Sequence, residues 1–170
     1  MIMPPRLRKL ALTAHVTCSV GWFGAVAGFL VLAVAGLVGQ NLQAMRAAYL
    51  GMSLITWFVI IPLAFGSLLS EIVSSVGTSW GLFRHYWVVA KLLISVLATT
   101  VLLVHVRPID QLAAASITNR FTADQHDVRT LMVIASCAAS TALIVLTALS
   151  VYKPRGVIFY GTGLQGTRIE

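Results

Sequence analysis

The sequence predicts an all-α, polytopic membrane four-helix bundle with both termini cytoplasmic, and three observations lead there. Apolar residues fill 58% of the 170 positions and charged ones 10%, and the mean hydropathy of +0.90 lies outside the range of soluble domains. The apolar residues form four blocks, each long enough to cross about 30 Å of hydrocarbon, instead of striping one face of shorter amphipathic helices. Basic residues gather at the ends of those blocks.

The first span is expected over about residues 11–38. Its lead, "MIMPPRLRKLALTAHV", has the positive start of a secretory signal, but the apolar region runs on too far and lacks a small-residue cleavage site, so it reads as a retained span. Gly21, Gly24 and Gly28 line one side, and the last two form a G-x-x-x-G that admits a close neighbour, either an internal helix or a second copy in a homo-oligomer. The second span, about 47–70, contains Pro62, which lacks a backbone donor and is expected to bend the helix. The third, about 86–106, holds Lys91, and the fourth covers about 128–151. The stretches "GQNLQAM", "EIVSSVGTSWGLF" and "PIDQLAAASITNRFTADQHD" read as links, and residues 152–170 as a cytoplasmic tail. A single four-helix transmembrane domain, 1–170, accounts for the whole chain, with no internal repeat.

Orientation follows from the bases near the spans. With the N-terminus inside, Arg6, Arg8, Lys9, Arg84, Lys153, Arg155 and Arg168 lie on the cytoplasmic side, against Arg46, Arg107, Arg120 and Arg129 outside. The net charge of +7 therefore orients the protein in the lipid bilayer, and no basic run interleaved with aromatics points to nucleic acid. Cys18 and Cys137 sit in different spans, differ in depth by about 9 Å, and read as free packing thiols.

Ionisable groups inside a span are functional candidates by default, because hydrocarbon leaves their charge unsolvated. His15 and Lys91 each fall about four residues into a span, roughly 6 Å below the cytoplasmic boundary. Ser19 and Trp22 share the helical face of His15, and Trp87 and His105 share that of Lys91, with His105 near the outer boundary. Glu71 is the carboxylate nearest this layer and is expected to pair with Lys91 or Arg84. Two readings are open for Lys91: it snorkels to the cytoplasmic interface, or it faces the bundle interior. His15 is either a site residue or a bundle histidine bonded to a carbonyl or hydroxyl. Arg84, His85 and Tyr86 read as an interfacial belt or as the rim of a site, and His126 as a solvated loop residue.

The first helix reads "HVTCSVGWFG" and the third "WVVAKLLISVLATTVLLVH". Together they resemble the loose group of four-helix bacterial membrane proteins that includes the HemJ-type protoporphyrinogen oxidases and the copper-resistance D proteins. The stretch "SVGTSWGLFRHYWVVAKLL" is more similar to uncharacterised four-helix membrane proteins of actinobacteria, a domain of unknown function, over roughly residues 10–110. The first resemblance implies a b-type haem, with His15 and Lys91 at the positions associated with haem and activity. The interval from Lys91 to His105 is longer than in that group, and the first helix lacks its aromatic-basic end.

The chemistry is coherent with such a site. A haem needs a cleft between helices, axial donors, and bases where its propionates meet water. His15 would supply the axial nitrogen and so be the metal ligand. Lys91 would be a second ligand, a propionate partner or the catalytic amine. Trp22, Trp87 and His105 would line the site, and Arg84, His85 and Arg8 would stand at its rim. The expected function is a haem-binding oxidoreductase of the cell inner (plasma) membrane acting on a quinone or porphyrin-like substrate. The alternatives are a metal or solute permease-like protein, in which His15, Lys91 and Glu71 line a polar path, and a non-enzymatic accessory subunit. The absence of a nucleophile-base set, a phosphate loop and a carboxylate-rich cage argues against hydrolases and nucleotide-driven machines.

Overall fold

A computed structural model describes residues 4–77, 86–118 and 124–152. They form α1 (Pro5–Val38), α2 (Leu42–Ile55), a π-helical turn (Thr56–Ile60), α3 (Ile61–Gly77), α4 (Tyr86–Thr118) and α5 (Asp124–Tyr152). Since α2, the π turn and α3 run on as one rod, there are four helices long and apolar enough to cross a membrane. The chain is an all-α four-helix bundle built for a bilayer.

The helix ends follow local chemistry. Pro5 opens α1 at a position where its missing N–H costs nothing. Asn41 caps α2, its side-chain oxygen accepting from the Gln43 amide at 2.8 Å. Each helix exceeds its expected span, and the largest difference is in α4. The chain from Pro108 was expected to be a link, yet the helix continues through it to Thr118. Ile109, Leu112, Ala113 and Ser116 recur at intervals of three and four and are all buried, so packing on the bundle outweighs the one donor that proline removes. Arg46 then closes the extended end, donating to the carbonyls of Ser116 at 3.0 Å and Ile117 at 3.2 Å.

Pro62 does mark an irregularity, which takes the form of the π turn just before it. The Ile61 amide reaches back five residues to the Thr56 carbonyl, and this wider turn makes room ahead of the proline ring. The bend expected from sequence is thus a local change of winding within one continuous rod.

The helices form a ring. α1 packs on the α2–α3 rod and on α5, while α4 packs on the rod and on α5, so α1 and α4 stand diagonally. Trp22, Phe29, Tyr49, Met52, Ile60, Leu112 and Met132 fill the interior. Val20, Phe58, Leu93, Ile134 and others project outward, as side chains facing acyl chains do. Tyr49, 1% exposed, lies directly against Gly36 of α1: a Cβ there would stand 2.7 Å from the ring. The Arg129 guanidinium sits 5.5 Å from the centre of the same ring.

The glycine stripe divides between neighbours. A Cβ on Gly21 would meet Leu63 at 3.0 Å and one on Gly28 would meet Ile55 at 3.5 Å, whereas Gly24 has nothing within 4 Å. Two of the three therefore accommodate an internal helix. Both cysteines are free thiols, and Cys18 packs where a Cβ on Gly66 would touch its sulfur at 2.9 Å.

Gly36→Ala is expected to cost about 1–3 kcal/mol by overpacking against Tyr49, whereas Gly24→Ala leaves stability unchanged within about 0.5 kcal/mol. Equilibrium unfolding in mixed micelles measures both.

Candidate functional site

Three helices bring ionisable side chains to one point. Lys91 of α4 extends across the diagonal of the ring, and its Nζ lies 3.0 Å from Nε2 of His15 on α1. Its side chain is 14% exposed, so the open question is answered in favour of the interior. The reason is local: Glu71 of α3 and His15 offer it a counter-charge and an acceptor within the bundle, which lipid does not.

The bonding pattern fixes the roles of the atoms. The Ser67 carbonyl, 3.3 Å from Nδ1 of His15, only accepts, so Nδ1 carries the proton. Ser70 Oγ donates to that same carbonyl at 2.9 Å and receives Nδ1–H at 3.1 Å. Nε2 is then an acceptor, and the Lys91 amine donates to it. On the next turn of α1, Ser19 shares a 2.8 Å hydroxyl contact with Ser67.

Glu71 is less completely satisfied. Its Oε2 accepts from Ser95 at 3.0 Å, whereas Oε1 lies 3.9 Å from Lys91 Nζ and has no hydrogen-bond partner among the described residues. The side chain is 5% exposed, so this oxygen also lacks bulk water. Such a group is uncommon in folded proteins.

A second polar layer closes the other end of the bundle. Asp110 accepts from Ser53 at 2.7 Å and from the Trp57 indole at 3.2 Å, tying α4 to the outer half of the α2–α3 rod. From Lys91 to Asp110 is nineteen residues of helix, about 28 Å, and from Ser53 to Glu71 eighteen, about 27 Å. The layers are therefore one hydrocarbon thickness apart.

The expected site residues divide accordingly. His15, Lys91 and Glu71 meet, joined by Ser19, Ser67, Ser70 and Ser95. Trp22 and His105 do not join them; both line an apolar cavity of about 280 Å³ reached between α4 and α5. Arg84 and His85 lie outside the described residues, as does the side chain of Trp87. Arg8 is exposed near the start of α1. Among the described residues, no three His, Cys, Asp or Glu side chains group closely enough to hold a metal ion. For a haem at His15 the donor atom is of the right kind, but Nε2 is engaged by Lys91, and an axial bond requires the amine to move away.

Ser19 was placed on the face of His15, but Ser67, Ser70 and Ser95 were missed in sequence because isolated hydroxyls in membrane helices usually bond to their own backbone, as Thr56, Thr99 and Ser140 do here. Their spacing carried a signal. Ser67 and Glu71 are four apart, as are Lys91 and Ser95 and also His15 and Ser19.

Comparison with protein-family models, with curated proteins and with solved structures gave no match. The functional reading rests on the site's own geometry.

Lys91→Met strands a buried carboxylate and is expected to destabilise the bundle by about 3–5 kcal/mol, most of it recovered when Glu71→Gln is added. Unfolding of the two single variants and the double variant in mixed micelles measures the coupling; additive losses would show that the groups do not act as a pair.

Proposed function

We propose that this chain is a multi-pass protein of the plasma membrane, both termini cytoplasmic, whose inner polar layer takes up and releases protons. The observation that carries the reading is the buried Glu71 Oε1, which has no hydrogen bond among the described residues while the ammonium beside it donates to His15. Glu71, Lys91 and His15 form a chain in which each neighbour accepts what the other donates. Once the Glu71 carboxylate has taken up a proton, Lys91 passes one to Nε2 of His15, and its amine, now neutral, receives the proton of the Glu71 carboxyl. The carboxylate and the ammonium are restored, and the added charge rests on the imidazolium, from which the proton leaves. Proton exchange of this kind serves proton-driven solute carriers and membrane oxidoreductases alike, and intramembrane acid, histidine and lysine groups are typical of both.

A second reading, a b-type haem at His15 in a membrane oxidoreductase, is favoured by one observation: the two residues that carry the family resemblance meet at 3.0 Å. A bound haem would supply electron transfer. Lys91, once displaced from the ring, would remain beside it as a cation or a proton donor.

Two measurements test these readings. Infrared difference spectra of the reconstituted protein, recorded on stepping the pH, are expected to show a carboxyl band that Glu71→Gln deletes. Lys91→Arg, which keeps the charge but not an exchangeable proton, is expected to alter that band; a spectrum indifferent to both substitutions defeats the proton reading. The visible spectrum of protein expressed with ample haem decides the other: a Soret band lost in His15→Ala supports haem, and a colourless protein rules it out.

A further inference from the structure

The cavity between α4 and α5 is separate from the polar layer and independent of its function. Its α5 wall is made by Ala135, Ala138, Ala139 and Ala142, one face of short side chains facing the larger residues of α4. Because alanine does not reach the opposite helix, a space stays open between two helices that otherwise pack. Trp22 and Phe29 of α1 form the far wall, so the space reaches the bundle interior. At about 280 Å³ it is nearly twice the apolar cavity of about 150 Å³ that suffices to bind benzene. Ile94 and Ile109 mark its extent along α4, fifteen residues or about 22 Å, which makes it a slot parallel to the helices.

Two polar groups in the lining are without a hydrogen bond among the described residues, the Trp22 indole N–H, which can only donate, and one ring nitrogen of His105. Ser136 donates to the Met132 carbonyl at 2.8 Å. His105 uses Nδ1 to donate to the Val101 carbonyl at 2.7 Å, which in the neutral ring leaves Nε2 as a lone acceptor. No hydrogen bond to that nitrogen occurs among the described residues. His105 lies fourteen residues beyond Lys91 and Phe29 fourteen beyond His15, so, with Lys91 and His15 in contact, acceptor and aromatic face stand at one level. That level is the outer part of the slot, with the apolar length running inward.

We infer that the slot binds the reduced, hydroxylated form of an isoprenoid quinone, its ring beside Phe29, one hydroxyl donating to Nε2 of His105 and its tail lying along the alanine face. The chemistry selects among membrane amphiphiles. Among the described residues no lysine or arginine lines the slot, so a phosphate or carboxylate head finds no partner from them inside it. A head without a donor leaves the imidazole nitrogen unpaired, and an oxidised quinone is such a head. The site therefore distinguishes the two redox forms by a single hydrogen bond.

The test uses decyl-benzoquinol, kept reduced, with the full-length chain in detergent micelles, and retention on the protein is read from its absorbance. Saturable binding is expected, with affinity about tenfold above that of decyl-benzoquinone, the order set by one hydrogen bond. His105→Phe should lower quinol affinity to the quinone level, and His105→Gln, which keeps an acceptor, should retain most of the preference. Ala139→Leu should remove binding of both forms, with Ala138→Leu as the substitute if the first variant does not fold. Equal affinity for the two forms, indifference to His105→Phe, quinol retention by the filled slot, or equally effective competition by a phospholipid would each overturn the proposal.

Discussion

An ammonium group cannot be left inside hydrocarbon, and the way Lys91 escapes that condition organises the bundle. Its stem crosses the centre to His15 and brings Nζ within 3.9 Å of Glu71, so three of the four crossings are held in one register by a single side chain. α1 and α4 face each other diagonally, and this polar bridge links them where backbone packing does not. Desolvating an ion pair offsets much of its attraction, so the bridge contributes more to the relative placement of the helices than to their stability. The layer proposed to exchange protons and the structural clamp are the same atoms.

The second layer serves the opposite end differently. Asp110 accepts from Ser53 and Trp57, and Arg46 donates to the carbonyls that end α4, so both side chains tie helices together. At the end that holds Lys91, one oxygen of Glu71 has no hydrogen bond among the described residues. The two layers, about 28 Å apart, also account for the apolar exterior between them, where Leu93, Leu97, Ile134 and Ile144 face lipid.

Much of this was legible in the residues. Hydropathy gives the four crossings, and equal depth gives the meeting of His15 with Lys91, because two charged or polar groups at one level of an apolar bundle have few other partners. Glu71 follows from the same reasoning. The continuation of α4 past Pro108 was hidden by composition: a proline with nearby Asp and Gln suggests a loop, although Ile109, Leu112 and Ser116 keep helical spacing. Tertiary packing decided the matter. Trp22 and His105 share helical faces with His15 and Lys91, but a face on a helix does not say which neighbour it meets, and the short side chains of α5 open a slot there instead. The serines were obscured by their ambiguity, since a hydroxyl bonded to its own backbone and one bonded across helices look alike in a string of letters.

The π turn at Thr56–Ile60 sets the phase of the rod it interrupts. A turn of this kind amounts to one residue inserted into an α-helix, and one residue is about 100° of rotation. Ser53 ahead of the turn and Trp57 near its start point to Asp110; beyond it Ser67, Ser70 and Glu71 point to His15, Lys91 and Ser95. A uniform α-helix of the same length would satisfy one set of contacts and swing the other by more than a quarter of a circle. The irregular winding is thus the angular offset that lets a single rod mate with both ends of the bundle at once.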